Sequence, residues 1–411
     1  MKNLLLFLSW LAQMTLTAQS PLTEPLSIGT SMALYSEILQ EDRVVYIHTP
    51  VGVETMENLA VVFVLDAFSQ FQHTATTIDY LSAVIQGNDK LPPAIVVGIT
   101  NPNRNLNLTP FQAIIAKDST TYDNTGDGAR FFDFITTELI PYIDDNYNTS
   151  PHRTLIGHSL GGLLVFQALL EKPEYFDNYL AHDPALGFGN RKFYRRILDS
   201  FKTLDLKDKY LYVSSANNRP STMTDKEFLV DTDHFLEQMD KPNLDFRNCD
   251  ARDWTIEIER KYYENEDHFS VPIVATIEAM QLFYDFYPFK PILDYFHKSY
   301  VDRTDLLPRL KAHYENISTE MGAEILPSEQ YINVWAWGLD VERKDLSRSL
   351  FEYNISLYPD SPEVYSSYGY SLEHNGLLQE ALVQFEKSLT LEENPVVRES
   401  KRVLQAQLRR K

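Results

Sequence analysis

The sequence predicts an α/β protein: a mainly parallel sheet flanked by helices on both faces, followed by a small all-helical region. Three observations carry this. The runs LAVVFVL and AIVVGI are continuously apolar and short, the pattern of strands buried on both faces. Strand-like and helix-like segments then alternate, which favours parallel crossovers. Past residue 328 the strand signals stop, and two stretches resemble each other at a spacing of about 34 residues.

The chain opens with MKNLLLFLSWLAQMTLTAQS, which holds one Lys, an apolar stretch from Leu4 to Leu16 and small residues ending at Ala18. This is an export-signal pattern over residues 1–18, because its apolar run falls short of the ~20 residues a spanning helix needs. SMALYSEIL and DRVVYIHTP alternate apolar and polar residues on either side of Glu41 and Asp42, which predicts an antiparallel hairpin turning there. A helix from about Thr74 to Gln86 separates the strand in LAVVFVLDAF from the strand in PPAIVVGIT, and the polar stretch NPNRNLNLTP is a loop. In GARFFDFITTELIPYIDDNY the apolar Phe131, Phe134, Ile135, Leu139, Tyr142 and Ile143 fall at helical spacing.

Beyond Leu170, YFDNYLAHDPALGF gives a strand ending near Asp183, RKFYRRILDSFKTL a helix and KYLYVSS a strand. TDKEFLVDTDHFLEQM is then a helix, DWTIEIERKYY the last strand, and VATIEAMQLFYDFY a closing helix. The sheet domain is thus expected over residues 27–290, with a helical linker over 291–327. In residues 328–411, VYSSYGYSLEHNGLLQEALVQFEKSL resembles a tetratricopeptide repeat, with Tyr365, Gly369, Leu372, Ala381 and Phe385 in the motif's places. Two copies are few for an independent stack, so these helices and a C-terminal capping helix are expected to lean on the sheet domain or on a protein partner.

Composition narrows the partners. A formal charge of −21 repels nucleic acid and anionic membrane surfaces, and no segment after the first is apolar and long enough to span a bilayer. The single cysteine, Cys249, excludes an intrachain disulfide and a cysteine-rich metal site.

The chemistry concentrates in RTLIGHSLGGLLVFQALL, from Arg153 to Leu170. Ser159 lies between Gly157 and Gly161, with a strand-like run before it and a helix-like run after it. That is the context of a nucleophile elbow, in which small residues two before and two after the serine let strand and helix approach closely. A serine hydroxyl needs a positioned base. Of ten histidines, His268 in ENEDHFSVP follows the last strand, where the base of this arrangement belongs, whereas His158 inside the elbow reads as a packing residue. The acid stays open between Asp183, directly after its strand, and Asp225, in the loop after KYLYVSS; a serine–histidine dyad is the third arrangement. Backbone N–H groups of Leu160 and of Ala67 or Phe68 are the expected oxyanion donors, and Arg104 is a candidate substrate-binding residue. Such chemistry needs no metal and no organic cofactor.

Together, LAVVFVLDAF, IVVGITNPNRNLNLTP, FFDFITTELIPYIDDNY, RTLIGHSLGGLLVFQALLEKPEYFDNYLAHDPAL and YYENEDHFSVP resemble the esterase family of α/β-hydrolases that includes esterase D-type S-formylglutathione hydrolases and siderophore esterases. The likeness is to exported members with a tetratricopeptide tail. It implies hydrolysis of a small-molecule carboxylic ester with Ser159 as nucleophile and His268 as base. It leaves the acid open, since dyad members exist, and the loop that carries further charged residues in relatives has Asn105 and Asn107 here. The same fold also suits an acyltransferase, or a binding protein whose hydrolase domain is a relic.

Overall fold

The computed structural model describes residues 26–53, 56–83, 88–113, 124–219, 222–224, 227, 234–296, 304–341 and 343–409. The expected export signal and Asp225 lie outside the described residues.

Eight strands form one sheet: β1 (Thr30–Ser36), β2 (Glu41–His48), β3 (Leu59–Leu65), β4 (Ala94–Ile99), β5 (Thr149–His158), β6 (Asn178–His182), β7 (Tyr210–Ala216) and β8 (Glu257–Tyr263). Their order is β1-β2-β4-β3-β5-β6-β7-β8. β1 and β2 pair antiparallel, β2 joins β4 antiparallel, and every pairing from β4 to β8 is parallel. The hairpin turns earlier than the sequence suggests. Gln40 takes the left-handed φ of 58° and donates its N–H to Ser36 O, so Glu41 and Asp42 already pair with Ser36 and Tyr35 inside the ladder.

All seven residues of β3 are buried, and alternation sends them to two cores. Ala60, Val62 and Val64 pack on one face with helices α1 (Ala67–Ser82) and α7 (Val271–Phe283). Val61, Phe63 and Leu65 pack on the other with α2 (Gly128–Phe134), α3 (Ile140–Asn146), α4 (Leu160–Glu171) and α5 (Lys192–Phe201). Helix α6 (His234–Asn248) overlaps the end of the helix expected in TDKEFLVDTDHFLEQM, whose earlier part lies mostly outside the described residues. Helix α1 begins at Ala67 rather than near Thr74, because Asp66 in the left-handed conformation turns the chain straight from β3 into the helix. A π-helical turn, Ile135–Leu139, joins α2 to α3. Pro141 has no N–H to donate back to Thr137, and the ladder widens there.

The C-terminal helices are α8 (Leu306–Met321), α9 (Glu329–Leu339), α10 (Lys344–Leu357), α11 (Pro362–His374), α12 (Leu378–Leu391) and α13 (Pro395–Leu408). Successive helices pack as pairs, and Gly369 lies so close to Phe385 that a Cβ there would fall 2.6 Å from the ring. Their core is continuous with the α1/α7 face of the sheet, running unbroken from Ala60 to Leu404. Polar ties reinforce this: His313 donates to Tyr287 O (2.8 Å) and Asn58 Nδ2 to Glu324 O (2.9 Å). Among the described residues no helix is long and apolar enough to cross a membrane.

Candidate active site

The parallel strands β5, β6 and β7 end side by side, and the loops beyond them carry the polar side chains of the site. Between β5 and α4, Ser159 sits at φ 59° and ψ −114°, a strained conformation for a residue with a Cβ. Its N–H donates to His182 O (2.9 Å) and its carbonyl accepts from Ala185 N (3.1 Å), so β6 and its following loop hold the turn. A Cβ on Gly157 would stand 2.3 Å from Gly161 O. On Gly161 itself a Cβ would come no closer than 3.4 Å to Asp66 Oδ2, whereas on Gly162 it would meet Pro184 Cβ at 2.7 Å. The close approach expected at Gly157 is therefore present, but its counterpart is the backbone of Gly161, and the second glycine without room is Gly162.

Past β6, Asp183 takes a positive φ of 36° and is 2% exposed. Its Oδ2 lies 2.6 Å from His268 Nδ1, and three further groups bond the carboxylate: Ala216 N (3.0 Å) and Asn243 Nδ2 (3.1 Å) donate to Oδ1, and Asn218 Nδ2 (2.9 Å) donates to Oδ2. Burial opposes its ionisation, but the bonds from His268, Asn218 and Ala216 N outweigh burial and hold the carboxyl below its ordinary value. Asp183 is thus an anion that fixes the proton on His268 Nδ1 and leaves Nε2 free to accept one. The loop after β7 supplies the side-chain amide of Asn218 to this carboxylate.

The turn bearing His268 is built by its neighbours. Asp267 Oδ1 accepts from Phe269 N (2.8 Å) and Ser270 N (2.9 Å), and those bonds hold its carboxyl below its ordinary value. Asn217 ties the loop after β7 to this turn through Glu266 O and Glu264 O. His158 differs from the packing role read from sequence. Its Nε2 donates to His268 O (2.7 Å), and the two rings lie 4.4 Å apart. Burial, with the neighbouring His268 second, pushes the His158 imidazole down to about 4, so it is neutral at pH 7.

Ser159 and His268 line one cavity of about 870 Å³. No hydrogen bond joins their side chains among the described residues, and such contacts tighten when substrate seats. Arg104 also lines the cavity, yet its Nε donates to Asp66 Oδ2 (3.0 Å) and its Nη2 to His158 O (3.0 Å). The guanidinium therefore clamps the elbow to the end of β3. Burial raises the Asp66 carboxyl, with Arg104 and Asn101 opposing. Of the expected oxyanion donors, Phe68 borders the cavity; Ala67 and Leu160 stand at the first turns of α1 and α4, where N–H groups have no helical acceptor.

A family model described as "Putative esterase" matches residues 36–268, more than half of the chain. The chain belongs to this esterase family. Ferri-bacillibactin esterase BesA of Bacillus subtilis (strain 168) is 31% identical over 160 residues, 36% of this chain and 55% of that protein. The siderophore enterobactin esterase of Emericella nidulans is 27% identical over 198 residues, 43% of this chain and 64% of that one. The chain spans about half the length of the curated relatives it matches first. Among solved structures, an IroE-like serine hydrolase from Shewanella oneidensis superposes with a TM-score of 0.63 at 27% identity, over 78% of this chain and 98% of that one. An uncharacterised protein from Capnocytophaga ochracea shares the fold over 92% of this chain and 99% of its own, at 17% identity and a TM-score of 0.54.

Proposed function

We propose that this protein is a serine esterase that hydrolyses a small-molecule carboxylic ester through an acyl-enzyme. Ser159 attacks the ester carbonyl while His268 Nε2 takes its proton; Asp183 orients the imidazole and stabilises its charged form. The Leu160 N–H, with that of Ala67 or Phe68, stabilises the oxyanion. His268 then returns the proton to the leaving alcohol, and water repeats the sequence to release the acid. The observation that carries this reading is the 2.6 Å bond from His268 to a buried, amide-held Asp183, in the cavity that Ser159 borders. The preference for Asp183 over Asp225 or a dyad rests on that bond.

The test uses a fluorophosphonate probe and short aryl esters. Wild type labels at Ser159 and turns over the esters; Ser159→Ala, folded by circular dichroism, does neither. Asp183→Asn loses on the order of 10⁴-fold in kcat with little change in KM. Full activity in Ser159→Ala would sink the mechanism. Export is part of the proposal and rests on the pattern in residues 1–18. A protein partner for the helices of residues 328–411 rests on their repeat-like sequence.

A further inference from the structure

The cavity beside Ser159 has three walls of different origin. Val44 and Tyr46 project from β2, Phe68 from the first turn of α1, and Phe269, Pro272 and Ile273 from the turn and helix after His268. Two of these aromatics are held in water: Phe68 is 92% exposed and Phe269 83%. Both neighbour residues of the reacting centre, Phe68 among the expected oxyanion donors and Phe269 next to His268. Exposed aromatic faces converging on a cavity gain most when an apolar group covers them.

The charges of the lining point the same way. Asp66 and Arg104 pair with each other, and Arg104 is the one Lys or Arg among the described lining residues. His73 and His158 are both held by burial at about 4 and carry no charge at neutral pH. Asp42, on the same face of β2 as Val44 and Tyr46, lines the cavity with no ion-pair partner among the described residues. An anionic group entering this cavity meets an unbalanced carboxylate on a chain of net charge −21, and a guanidinium already donating to Asp66 and His158.

We infer that the substrate of this site is an ester whose group beside the scissile bond is apolar and large enough to span Phe68 and Phe269, and which carries no negative charge there. The inference rests on Ser159 as nucleophile and names the substrate class of that site. Phe269 and Ile273 then select for the apolar group, and Asp42 selects against anions.

The experiment compares para-nitrophenyl hexanoate, para-nitrophenyl acetate and mono-para-nitrophenyl glutarate, whose carboxylate occupies the place of the hexanoate tail. Wild type is expected to prefer hexanoate over glutarate by at least about tenfold in kcat/KM, and hexanoate over acetate by about as much. Asp42→Asn narrows the first ratio, and Phe269→Ala or Ile273→Ala narrows the second; ratios cancel any loss of catalysis common to both substrates. Glutarate turned over as well as hexanoate, or an acetate preference, overturns the inference. So does a set of variants that leaves both ratios unmoved. Phosphonate labelling in parallel separates the two failures: labelled Ser159 with the wrong preference refutes the substrate class alone, whereas unlabelled Ser159 with no turnover refutes the catalytic reading.

Discussion

His158 shows how much one buried side chain ties catalysis to stability. It holds the carbonyl of His268 and packs against its ring at a tilt of 43°, and it does so as a neutral imidazole because burial pushes it down to about 4. In the unfolded chain the same group titrates near its ordinary value of 6.5. Between these two values the unfolded chain binds a proton that the folded one refuses, so stability is full above about pH 6.5 and declines as pH falls toward about 4. The shift corresponds to roughly 3 kcal/mol for this group. His182, buried between Ser214 and Thr276 and also pushed down by burial, acts in the same direction. Urea denaturation at about pH 7 and about pH 4.5 is expected to show a loss of this order, with a shallower pH slope in His158→Asn. Asp183 has the opposite chemistry but the same sign: its depressed carboxyl contributes stability that is lost only at pH values below the ordinary carboxylate range.

At the scale of the element, the strand–turn–helix of β5 and α4 is held by shape as well as by hydrogen bonds. The GHSLGG motif made Ser159 legible because the turn demands small residues around a strained serine. Which glycines have no room is decided by what packs on them: Gly161 O on Gly157, and Pro184 on Gly162. Gly157→Ala is therefore expected to cost about 3 kcal/mol or more and to lose phosphonate labelling, while Gly161→Ala stays within about 1 kcal/mol. Thermal melts of the two variants decide it; equal costs would contradict the packing. The hairpin and α1 teach a related lesson. Their starts are set by left-handed Gln40 and Asp66, residues whose backbone conformation has no periodic signature in sequence.

At the scale of the molecule, the tail and the sheet are parts of one core. Tyr284, Phe289, Ile292 and Tyr295 lead out of α7 into Leu306, Leu310 and Tyr314 of α8 without a break, and Gly322 brings α8 against Pro151 at the start of β5. Ending the chain at residue 303 is expected to abolish cooperative melting and to expose dye-binding apolar surface; a truncated chain that melts cooperatively and still labels at Ser159 would show the sheet to be self-sufficient. The parallel α/β sheet, the helical tail, the elbow serine and the placement of His268 after the last strand were determined by the sequence itself. Each follows from local rules of apolar period, turn chemistry and chain order. The carboxylate facing His268, the clamp that takes up Arg104 and the contact of His158 with His268 were decided only by tertiary structure. Asp183 and His268 are far apart in the chain, and only the parallel register of β5, β6, β7 and β8 brings their loops to one edge of the sheet.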